Sequence, residues 1–500
     1  MIETHLPAII ALTFVAFSIL IPVFGIWKEE LSQPLAVLGS GIAAFFSVYG
    51  FFVFLDVGMI RYPFGGWAPP IGIEFVYDGL SAFFLLVINV VTFIALIYSK
   101  YRGRAEFPGK EMPFYSLTML MMLGFNGILL TGDLFNLFVF LEIASLSMYS
   151  LISIGKKPAS YAAFRYLIIG TAGGTLYLLG VGYLYTITGT LNIIDMSAML
   201  PTFAENSSVV AALLLMVVGI GIKAALFPTH GWLPDSYTFT SSPSSILIAP
   251  IGTKVAAYVL FRVMLYLFGI ELTDAVIPLS YLVGVLACIG IVYGSVMAIA
   301  QSNMKRMLAY SSVSQIGYII MGLSLANPFG FAGALLHVLN HAVMKACLFM
   351  ISGNITHREG HSDMSRFDES YRKKYPWSMA SLSVAAISMV GLPPLAGFFS
   401  KWYLALGTVE NGNWLFLGVI IVSSLLNAVY FFRILERVYM NDPYEEEQTE
   451  EEQQKAVAAA TYNEPPASML SPTVILALSL FAIGFANVII VSALMGFFPL

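Results

Sequence analysis

The sequence predicts an all-α polytopic membrane protein with about fourteen transmembrane helices. Of its 500 residues, 58% are hydrophobic and 11% are charged, whereas soluble domains carry roughly 25% charged residues. A soluble protein of this length needs a polar coat, which this composition does not supply. The net charge of −5 does not indicate nucleic-acid binding, so no nucleic-acid partner is expected. The lipid bilayer is the predicted surrounding of the chain.

Long apolar runs recur along the whole chain. A helix that crosses a bilayer needs about 20 apolar residues. The first run starts behind Glu3 and lacks the basic start and small-residue end of a cleavable signal, so it is interpreted as a membrane span. On this scale the predicted spans are 6–26, 35–55, 77–98, 113–131, 134–154, 162–187, 208–228, 243–268, 275–299, 303–324, 330–354, 377–409, 413–437 and 471–497.

The basic residues predict which loops share a side of the membrane. Alternate loops between the predicted spans fall into two sets, one on each side of the membrane. Of the Lys and Arg residues in loops, one set carries Arg61 alone. Because cytoplasmic loops are enriched in Lys and Arg, both termini are predicted outside the cytoplasm, in the inner (cell) membrane of a prokaryote. The basic set of alternate loops carries Lys28, Lys100, Arg102, Arg104, Lys110, Lys156, Lys157, Lys305, Arg306, Arg358, Arg366, Arg372, Lys373, Lys374, Arg433, Arg437 and Lys455.

Two polar segments lie outside the predicted spans, and two cysteines lie within apolar runs. Residues 357–377 form a charged connector, and residues 441–466 are acidic and poor in aromatic residues. The acidic segment is interpreted as a solvated loop, with a docking surface for a partner subunit as the alternative. Cys288 and Cys347 lie in apolar runs and indicate neither a disulfide framework nor a thiolate metal site.

Six basic residues fall inside the predicted spans. An ionised side chain at a helix centre costs roughly 2.5–3.5 kcal/mol on insertion scales. Arg165 and Arg262 lie toward helix ends, where they can reach the interface. Lys223, Lys254 and Lys345 have long apolar flanks, so the alternatives for them are a role in transport and simple ion pairing. The sixth is Lys401.

Glu142 is the one carboxylate well inside a strongly apolar span, in "LFNLFVFLEIASLSMYSL". A lone buried carboxylate tends to be protonated, whereas a nearby ammonium keeps it ionised. Lys223 is the candidate partner.

The eleventh span places three titratable residues on one helix face. His337, His341 and Lys345 are spaced i, i+4, i+8. Two such histidines can bind zinc, but further ligands are missing and an ammonium four residues on repels a cation. Imidazole both accepts and donates protons near neutral pH. The pattern favours a proton-conducting stripe and no metal, with a structural histidine pair as the alternative.

Two spans combine a lysine with prolines. Lys223 precedes Pro228 by five residues, and Pro393 and Pro394 precede Lys401. Proline breaks the helical hydrogen-bond ladder, and freed backbone groups at membrane depth need protein or water. The pattern predicts discontinuous helices 7 and 12 that form wet half-channels around titratable groups. His230, two residues after Pro228, is a candidate accessory residue.

The two lysine–proline spans lie five apart, and an odd offset inverts their orientation. Inverted repeats with discontinuous helices are typical of secondary transporters. The predicted organisation has three N-terminal helices in 1–110 and repeats in 111–270 (helices 4–8) and 271–440 (helices 9–13). An acidic cytoplasmic loop in 441–470 and helix 14 in 471–500 follow.

Five segments resemble the antiporter-like subunits shared by Mrp-type Na+/H+ antiporters, respiratory complex I and membrane-bound hydrogenases. The resemblance covers essentially all predicted spans. It is closest to the D subunit of an Mrp complex, and a complex I or hydrogenase homologue is the alternative. The segments are "GDLFNLFVFLEIASLSMYSLI" (132–152), "GIGIKAALFPTHGWLPDSYTFTSSPSSILIAPIGTKVAAYVLFR" (219–262), "MKRMLAYSSVSQIGYIIMG" (304–322), "HVLNHAVMKACLF" (337–349) and "GLPPLAGFFSKWYL" (391–404).

The resemblance implies roles for the buried residues. A glutamate on span 5 that pairs with a lysine on span 7 matches Glu142 and Lys223, and a lysine on span 8 that links the halves matches Lys254. The residue that ends the path matches Lys401, where one type of family member carries glutamate. Histidines and a lysine on span 11 match His337, His341 and Lys345.

The sequence thus predicts a subunit that moves protons, with Na+ as a further candidate ion, through these residues. Other membrane subunits are the expected partners, and no cofactor is predicted, because no nucleotide, haem or quinone motif is present. Two alternatives remain: a scaffold for a neighbouring subunit, and a stand-alone carrier of an organic solute. A redox-driven assembly that contains the chain is also open.

Overall fold

Helices make up nearly all of the computed structural model, which describes residues 2–155, 157–440 and 461–499. The two strands of the described part, β1 (Ile60–Pro63) and β2 (Glu74–Tyr77), pair antiparallel. The α-helices are α1 (Ile2–Gly25), α2 (Ser32–Val57), α3 (Gly79–Glu106), α4 (Glu111–Leu130), α5 (Leu134–Ser153), α6 (Lys157–Thr188), α7 (Ile193–Met199), α8 (Ser207–Ala224), α9 (Leu233–Phe239), α10 (Ser242–Phe261), α11 (Gly269–Asp274), α12 (Leu279–Ile299), α13 (Met304–Ser324), α14 (Pro328–Glu359), α15 (Ser370–Lys374), α16 (Pro376–Val390), α17 (Ala396–Glu410), α18 (Trp414–Tyr439), α19 (Ala467–Phe485) and α20 (Asn487–Met495).

Twelve helices in the described residues are long and apolar enough to cross a membrane. They correspond to twelve of the predicted spans, with α8 and α9 together forming the seventh. The tenth predicted span is α13, a 21-residue helix that carries Lys305 and Arg306 in its first turn and several serines further along. The twelfth is the pair α16 and α17. The chain is therefore a multi-pass membrane protein, and the predicted all-α fold class is confirmed.

Helix α8 ends in the middle of the seventh span. Ala225 follows it with a left-handed φ of 59°, and Pro228 comes three residues later. A left-handed residue ends a helix, and proline has no backbone N–H to donate. The indole of Trp232 donates to the carbonyl oxygen of Ile222 at 2.9 Å, so protein satisfies a backbone group freed by the break.

The twelfth span is interrupted between α16 and α17. Gly391 follows α16 with a φ of 91°, a conformation that suits glycine because it has no Cβ. Pro393 and Pro394 occupy the connection, where neither can donate a backbone hydrogen bond. The structure therefore contains both helix breaks that the lysine–proline pattern predicts.

One end of the bundle gathers basic side chains, and we call it the basic face. Arg102 lies 3.4 Å from His357 across α3 and α14. Arg433 donates to the carbonyl oxygen of Ile299 at 2.9 Å, between α18 and the end of α12. These contacts join loops that the charge pattern places on one side of the membrane.

Glu464 closes part of the basic face. Residues 441–460, most of the predicted acidic loop, lie outside the described residues, as does Lys156. The Glu464 carboxylate accepts the backbone N–H groups of Trp377 at 2.7 Å and Ser378 at 2.9 Å. It thereby caps the N-terminus of α16, so the end of the acidic segment is anchored to the interrupted span.

The opposite face is built around the β1–β2 hairpin. Arg61 on β1 forms an ion pair of 2.6 Å with Glu74 on β2. The side-chain amide of Asn192 donates to the same carboxylate at 2.8 Å. The hairpin is thereby tied to the loop that follows α6.

Helices α10 and α14 pack together at the centre of the bundle. In the most apolar stretch of each helix, 89% of the residues of α10 and 94% of the residues of α14 are buried inside the protein. Neither helix therefore presents a continuous surface to lipid. Charged side chains on these two helices point into protein, where polar partners can stabilise them.

Candidate functional site

Lys223 contacts Glu142 within the first predicted repeat. Its Nζ, from α8, lies 3.4 Å from Oε1 of Glu142 on α5. The same Nζ donates to Ser145 Oγ at 2.7 Å and lies 3.4 Å from the Tyr149 hydroxyl. A buried ammonium needs such partners, because it loses its hydration on burial. The four side chains form what we call the pair site.

The helix break explains why this position accepts a cation. Lys223 lies in the last turn of α8, and the negative end of the helix dipole stabilises cations there. Its side chain is 5% exposed, whereas that of Glu142 is 25% exposed. The pair site is thus closed on the lysine side and more open on the carboxylate side.

A small cavity extends from Lys223 toward α10. Its volume is about 20 Å³, and its lining includes Ser145, Tyr166, Lys223 and Gly252. A cavity of this size has room for about one water molecule, provided that polar groups line it. The cavity thus reaches the helix that carries Lys254, two residues from Gly252.

Lys254 is fully buried on α10. Its Nζ donates to the carbonyl oxygen of Ala249 at 2.9 Å. Within the described residues, no carboxylate lies within ion-pair distance of Lys254, Lys345 or Lys401. Lys254 therefore differs from Lys223, because neutral dipoles rather than an opposite charge surround its amine.

The two histidines of α14 are fully buried but differ in their partners. His337 Nδ1 lies 2.9 Å from Ser400 Oγ, and Nε2 lies 2.9 Å from Gln315 Oε1. When Nε2 donates to Gln315, Nδ1 accepts from Ser400, which suits a neutral ring. Both ring nitrogens of His341 have no hydrogen-bond partner among the described residues. The two rings are 6.0 Å apart.

Lys345 lies one turn further along α14 and is fully buried. Its Nζ donates to the carbonyl oxygen of Leu308 at 2.7 Å and forms a short hydrogen bond with the Ser311 hydroxyl, both on α13. Helix α14 packs against α10, the helix that carries Lys254. The stripe predicted on the eleventh span therefore lies where α10 and α14 pack together.

Lys401 lies in the second turn of α17, across the break from α16. Its Nζ donates to the carbonyl oxygens of Met389 at 3.1 Å and Val390 at 2.9 Å, and to Ser424 Oγ at 3.2 Å. The two carbonyls end α16, where the helix dipole is negative. An ammonium has three protons to donate, so this set can satisfy all of them. We call Lys401 with these partners the dipole site.

The predicted residues are brought together in three groups: the pair site, the central group of Lys254, His337, His341 and Lys345, and the dipole site. Ser400 lies directly before Lys401 and contacts His337, so it joins the last two groups. Among the described residues no direct hydrogen bond joins Lys223 to Lys254, or Lys254 to His341.

His230 lies outside these groups. Its ring stacks on Phe227 with centroids 5.4 Å apart and meets Tyr293 edge-on at 4.8 Å. Among the described contacts, none joins His230 to Lys223 or to the other lysines of the predicted path. The structure places it at the break beside Pro228 and against α12.

Sequence reasoning missed most of the polar partners. Ser145 and Tyr149 stand three and seven residues after Glu142 and so share its helix face, a spacing that could have indicated them. The partners in the second half come from helices distant in sequence, and their residue types are too common to give a signal. These are Gln315, Tyr318, Ser400 and Ser424.

A further buried ion pair on the opposite face was also missed. Arg262 at the end of α10 binds both carboxylate oxygens of Asp78, each at 2.5 Å, and the rings of Tyr258 and Tyr266 lie 5.0 and 4.8 Å from its guanidinium. Burial alone raises the pKa of Asp78, but Arg262 and the hydrogen bonds from Ser81 hold that pKa below its ordinary value of 3.8. The pair ties the start of α3 to α10.

The fold and the buried groups define a class: a polytopic α-helical membrane protein with titratable residues beside two interrupted helices. Residues 131–427 match the model of the family described as "NADH:quinone oxidoreductase/Mrp antiporter, TM". The chain belongs to this family, and the predicted family resemblance is confirmed.

Similar proteins are named as subunits of two kinds of assembly, a NADH-quinone oxidoreductase and a Na(+)/H(+) antiporter. The chain is 44% identical over 92% of its length to "NADH-quinone oxidoreductase subunit N" of Desulforudis audaxviator, covering 91% of that protein. It is 31% identical over 72% of its length to the D subunit of the Na(+)/H(+) antiporter of Alkalihalophilus pseudofirmus, covering 72% of that protein. A chain of the Mrp complex from Dietzia sp. DQ12-45-1b superposes with a TM-score of 0.87 at 25% identity, covering 99% of this chain and 97% of that one.

Proposed function

We propose that this chain is an antiporter-like subunit that translocates protons through the pair site, the central group and the dipole site. The observation that carries the proposal is the contact between Lys223 and Glu142 at a helix break. Ionisable residues at membrane depth are rare and mark ion pathways. Membership of the NADH:quinone oxidoreductase/Mrp antiporter family supports the same interpretation.

The pair site acts as the switch in this proposal. While Glu142 stays close, its charge stabilises the Lys223 ammonium; when the two separate, burial favours the neutral amine and the proton leaves. The small cavity beside Lys223 offers room for a water that carries the proton toward α10. One N–H bond breaks on Lys223, and one forms on Lys254.

From Lys254 the proton crosses the central group to the dipole site. His341 has two unpartnered ring nitrogens among the described residues, so one nitrogen can accept a proton while the other releases one. His337 and Ser400 then lead to Lys401. Moving one charge across 100 mV involves about 2.3 kcal/mol, which is comparable to making or breaking a partly buried ion pair.

We also propose the organisation predicted from the sequence, with inverted repeats in 111–270 and 271–440. The matched helix breaks support it: Lys223 lies in the last turn of α8, and Lys401 binds the last carbonyls of α16. Each half therefore sets a lysine at the C-terminal end of an interrupted helix.

Other membrane subunits are proposed as partners. The relative named as an antiporter's D subunit and the similar chain in the Mrp complex support a cation/proton antiporter. The relative named as a NADH-quinone oxidoreductase component supports a redox-driven assembly. Purification of the chain from its own membranes, with identification of the co-purifying proteins, distinguishes the two: dehydrogenase or hydrogenase components would exclude the antiporter assembly.

The orientation is proposed as predicted, with both termini outside and the basic face in the cytoplasm. Both native cysteines are buried, so single added cysteines can report topology. Thr4→Cys should react with a membrane-impermeant maleimide in intact cells, and Lys373→Cys should react only after the membrane is opened. The reverse pattern would overturn the orientation.

Lys223→Ala in the assembled complex tests the function. Proton transport, driven by whichever ion gradient or electron transfer the purified assembly supports, is followed in vesicles with a pH-sensitive dye. We expect transport to be abolished while native gels show normal assembly. Lys100→Ala, an exposed lysine on α3, serves as the control and should transport normally. Full transport by assembled Lys223→Ala would refute the relay, and loss of assembly would support the scaffold alternative.

A further inference from the structure

A cavity on the basic face is lined by two arginines. Its volume is about 140 Å³, and it lies between the end of α12, residues 364–365 and the last turns of α18. Arg433 and Arg437 line it one helical turn apart, together with the polar residues Gln301, Ser302 and Ser365. We call this cavity the arginine pocket. It shares no residue with the pair site, the central group or the dipole site.

Backbone carbonyls hold both guanidinium groups at the pocket. Arg433 donates through Nη1 to the Ile299 oxygen at 2.9 Å and through Nη2 to the Gln301 oxygen at 2.7 Å. Arg437 donates through Nη1 to the Met364 oxygen at 3.0 Å. A guanidinium has five N–H donors, so each arginine keeps donors that no acceptor among the described residues takes. The fold therefore positions the two arginines and leaves them able to bind an anion.

The arginine pocket has no counter-charge within the part of the chain that the structure describes. No carboxylate there lies within ion-pair distance of Arg433 or Arg437. Elsewhere on the basic face, by contrast, Arg102 pairs with Glu106 at 2.6 Å. Like charges four residues apart destabilise a helix. A bound anion would remove this repulsion at the end of α18.

The pocket borders surface that faces the bilayer. One turn before Ala300 on α12, Val296 is 50% exposed, and one turn before Arg433 on α18, Val429 is 51% exposed. Phe432, next to Arg433, is also exposed. Both helices are long and apolar enough to cross a membrane, so these apolar side chains are suited to contact with acyl chains. The pocket lies at the basic ends of the two helices, at the level where lipid headgroups begin.

We propose that the arginine pocket binds the phosphate of an anionic phospholipid whose acyl chains lie along α12 and α18. The planar fork of an arginine matches two phosphate oxygens and forms charge-assisted hydrogen bonds with them. Basic pockets between transmembrane helices recognise anionic headgroups in this way. Inorganic phosphate shares this chemistry, but the exposed apolar side chains beside the pocket favour a lipid as its source. Lipid binding here is independent of proton translocation by the chain.

A purely structural role for the arginines is the competing explanation. A basic side chain at a helix C-terminus stabilises the last carbonyls, and this role accounts for the contacts of Arg433 with Ile299 and Gln301 at the end of α12. It does not account for the placement of a second charge, that of Arg437, at the same cavity without a carboxylate. Two charges around one cavity are expected when an anion binds between them.

Fluorescence quenching in the assembled complex tests the proposal. Ser365→Cys places an exposed thiol at the pocket, where bimane is attached, and both native cysteines of this chain are buried. The complex without Ser365→Cys, treated in the same way, gives the background. Quenching is then compared between phosphatidylglycerol and phosphatidylcholine that carry the same nitroxide near the headgroup. We expect half-quenching at a roughly thirtyfold lower concentration of phosphatidylglycerol, about fivefold for each arginine.

A charge-matched pair of variants separates the pocket from the general charge of the basic face. Arg433→Gln with Arg437→Gln should remove the preference for phosphatidylglycerol and leave quenching by phosphatidylcholine unchanged. Arg372→Gln with Lys373→Gln, which removes two exposed charges from α15, should keep the preference. If the first double variant fails to assemble, Arg437→Gln alone, which loses one carbonyl contact, should reduce the preference about fivefold.

Three results would overturn the lipid site. The first is equal quenching by the two lipids in the complex with both arginines. The second is an equal loss of preference in the α15 control, because surface charge alone would then explain the attraction. The third is a rise in thermal midpoint with millimolar inorganic phosphate but no preference between the lipids, which would assign the pocket to a soluble anion. None of these results bears on proton transport, which Lys223→Ala tests separately.

Discussion

The two lysines beside the helix breaks are held by different chemistry. At the pair site, Lys223 contacts a carboxylate that is 25% exposed and a serine hydroxyl. At the dipole site, Lys401 contacts two backbone carbonyls and one hydroxyl. Both amines lie at the C-terminal end of an interrupted helix. The two halves therefore share the helix break, but only the pair site has a carboxylate as counter-charge.

The difference suggests that the two sites have different roles in transport. A carboxylate binds an ammonium strongly and a neutral amine weakly, so the pair site responds sharply to the distance between its partners. Carbonyls and hydroxyls form hydrogen bonds with either form of the amine, so the dipole site can exchange a proton with little rearrangement. The pair site is suited to gating, and the dipole site to passing protons on.

The largest expected effect comes from removing either amine while keeping its bulk. Lys223→Met and Lys401→Met should both abolish transport. Their stabilities should differ: Lys223→Met leaves the charge of Glu142 unpaired, which costs about 1–3 kcal/mol at a partly exposed site, whereas Lys401→Met leaves only neutral acceptors unpaired and should destabilise the protein less. Thermal unfolding of the purified complex measures this, and equal destabilisation would erase the proposed distinction between the sites.

A smaller effect is expected from giving the dipole site a counter-charge. Ser424→Asp places a carboxylate beside Lys401 and makes this site resemble the pair site. The added charge-assisted hydrogen bond is worth about 1.5–3 kcal/mol, so the proton should be retained and transport slowed roughly tenfold or more. Ser424→Asn, of the same shape but neutral, is the control; equal rates for the two variants would argue against a role for the missing charge.

The Asp78–Arg262 pair provides a reference, because it lies outside the proposed path. Asp78→Asn removes the charge and strands a buried guanidinium, which should destabilise the protein by about 3 kcal/mol while transport per assembled complex stays normal. The folded-state pKa of Asp78 is lowered, so its stabilisation is complete above 3.8 and is lost as the pH falls through that lower pKa. Melting curves of both proteins between neutral and acidic pH test this.

The smallest effect is expected at the edge of the pair site. The Tyr149 hydroxyl lies 3.4 Å from Lys223 Nζ, at the limit of hydrogen bonding, whereas Ser145 is at 2.7 Å. Tyr149→Phe should therefore change transport by about twofold or less, and Ser145→Ala by more, since the shorter bond carries more of the stabilisation. The reverse ranking would show that Tyr149 rather than Ser145 supports the ammonium.

Patterns within one helix allowed much of the site to be predicted from the sequence. Pro228, Pro393 and Pro394 mark breaks because proline lacks a backbone donor, whatever surrounds it. His337, His341 and Lys345 share a face because helical spacing requires it. Glu142 was conspicuous because apolar spans contain few carboxylates.

Contacts between distant helices could not be predicted in this way. His337 on α14 contacts Gln315 on α13 and Ser400 on α17, and a glutamine or a serine in a span gives no sign of its partner. The Asp78–Arg262 pair was missed because each partner stands at a helix end, where a charge can reach water. Which helix ends meet depends on how the helices pack, and the spacing of residues along one helix does not specify that.

The most direct test of the account is proton transport by the assembled complex that carries Glu142→Gln. The change keeps the shape of the side chain and removes the charge that holds Lys223. We expect vesicles with the variant complex to develop no pH gradient although native gels show full assembly. A wild-type gradient would contradict the central claim that the pair site drives proton translocation.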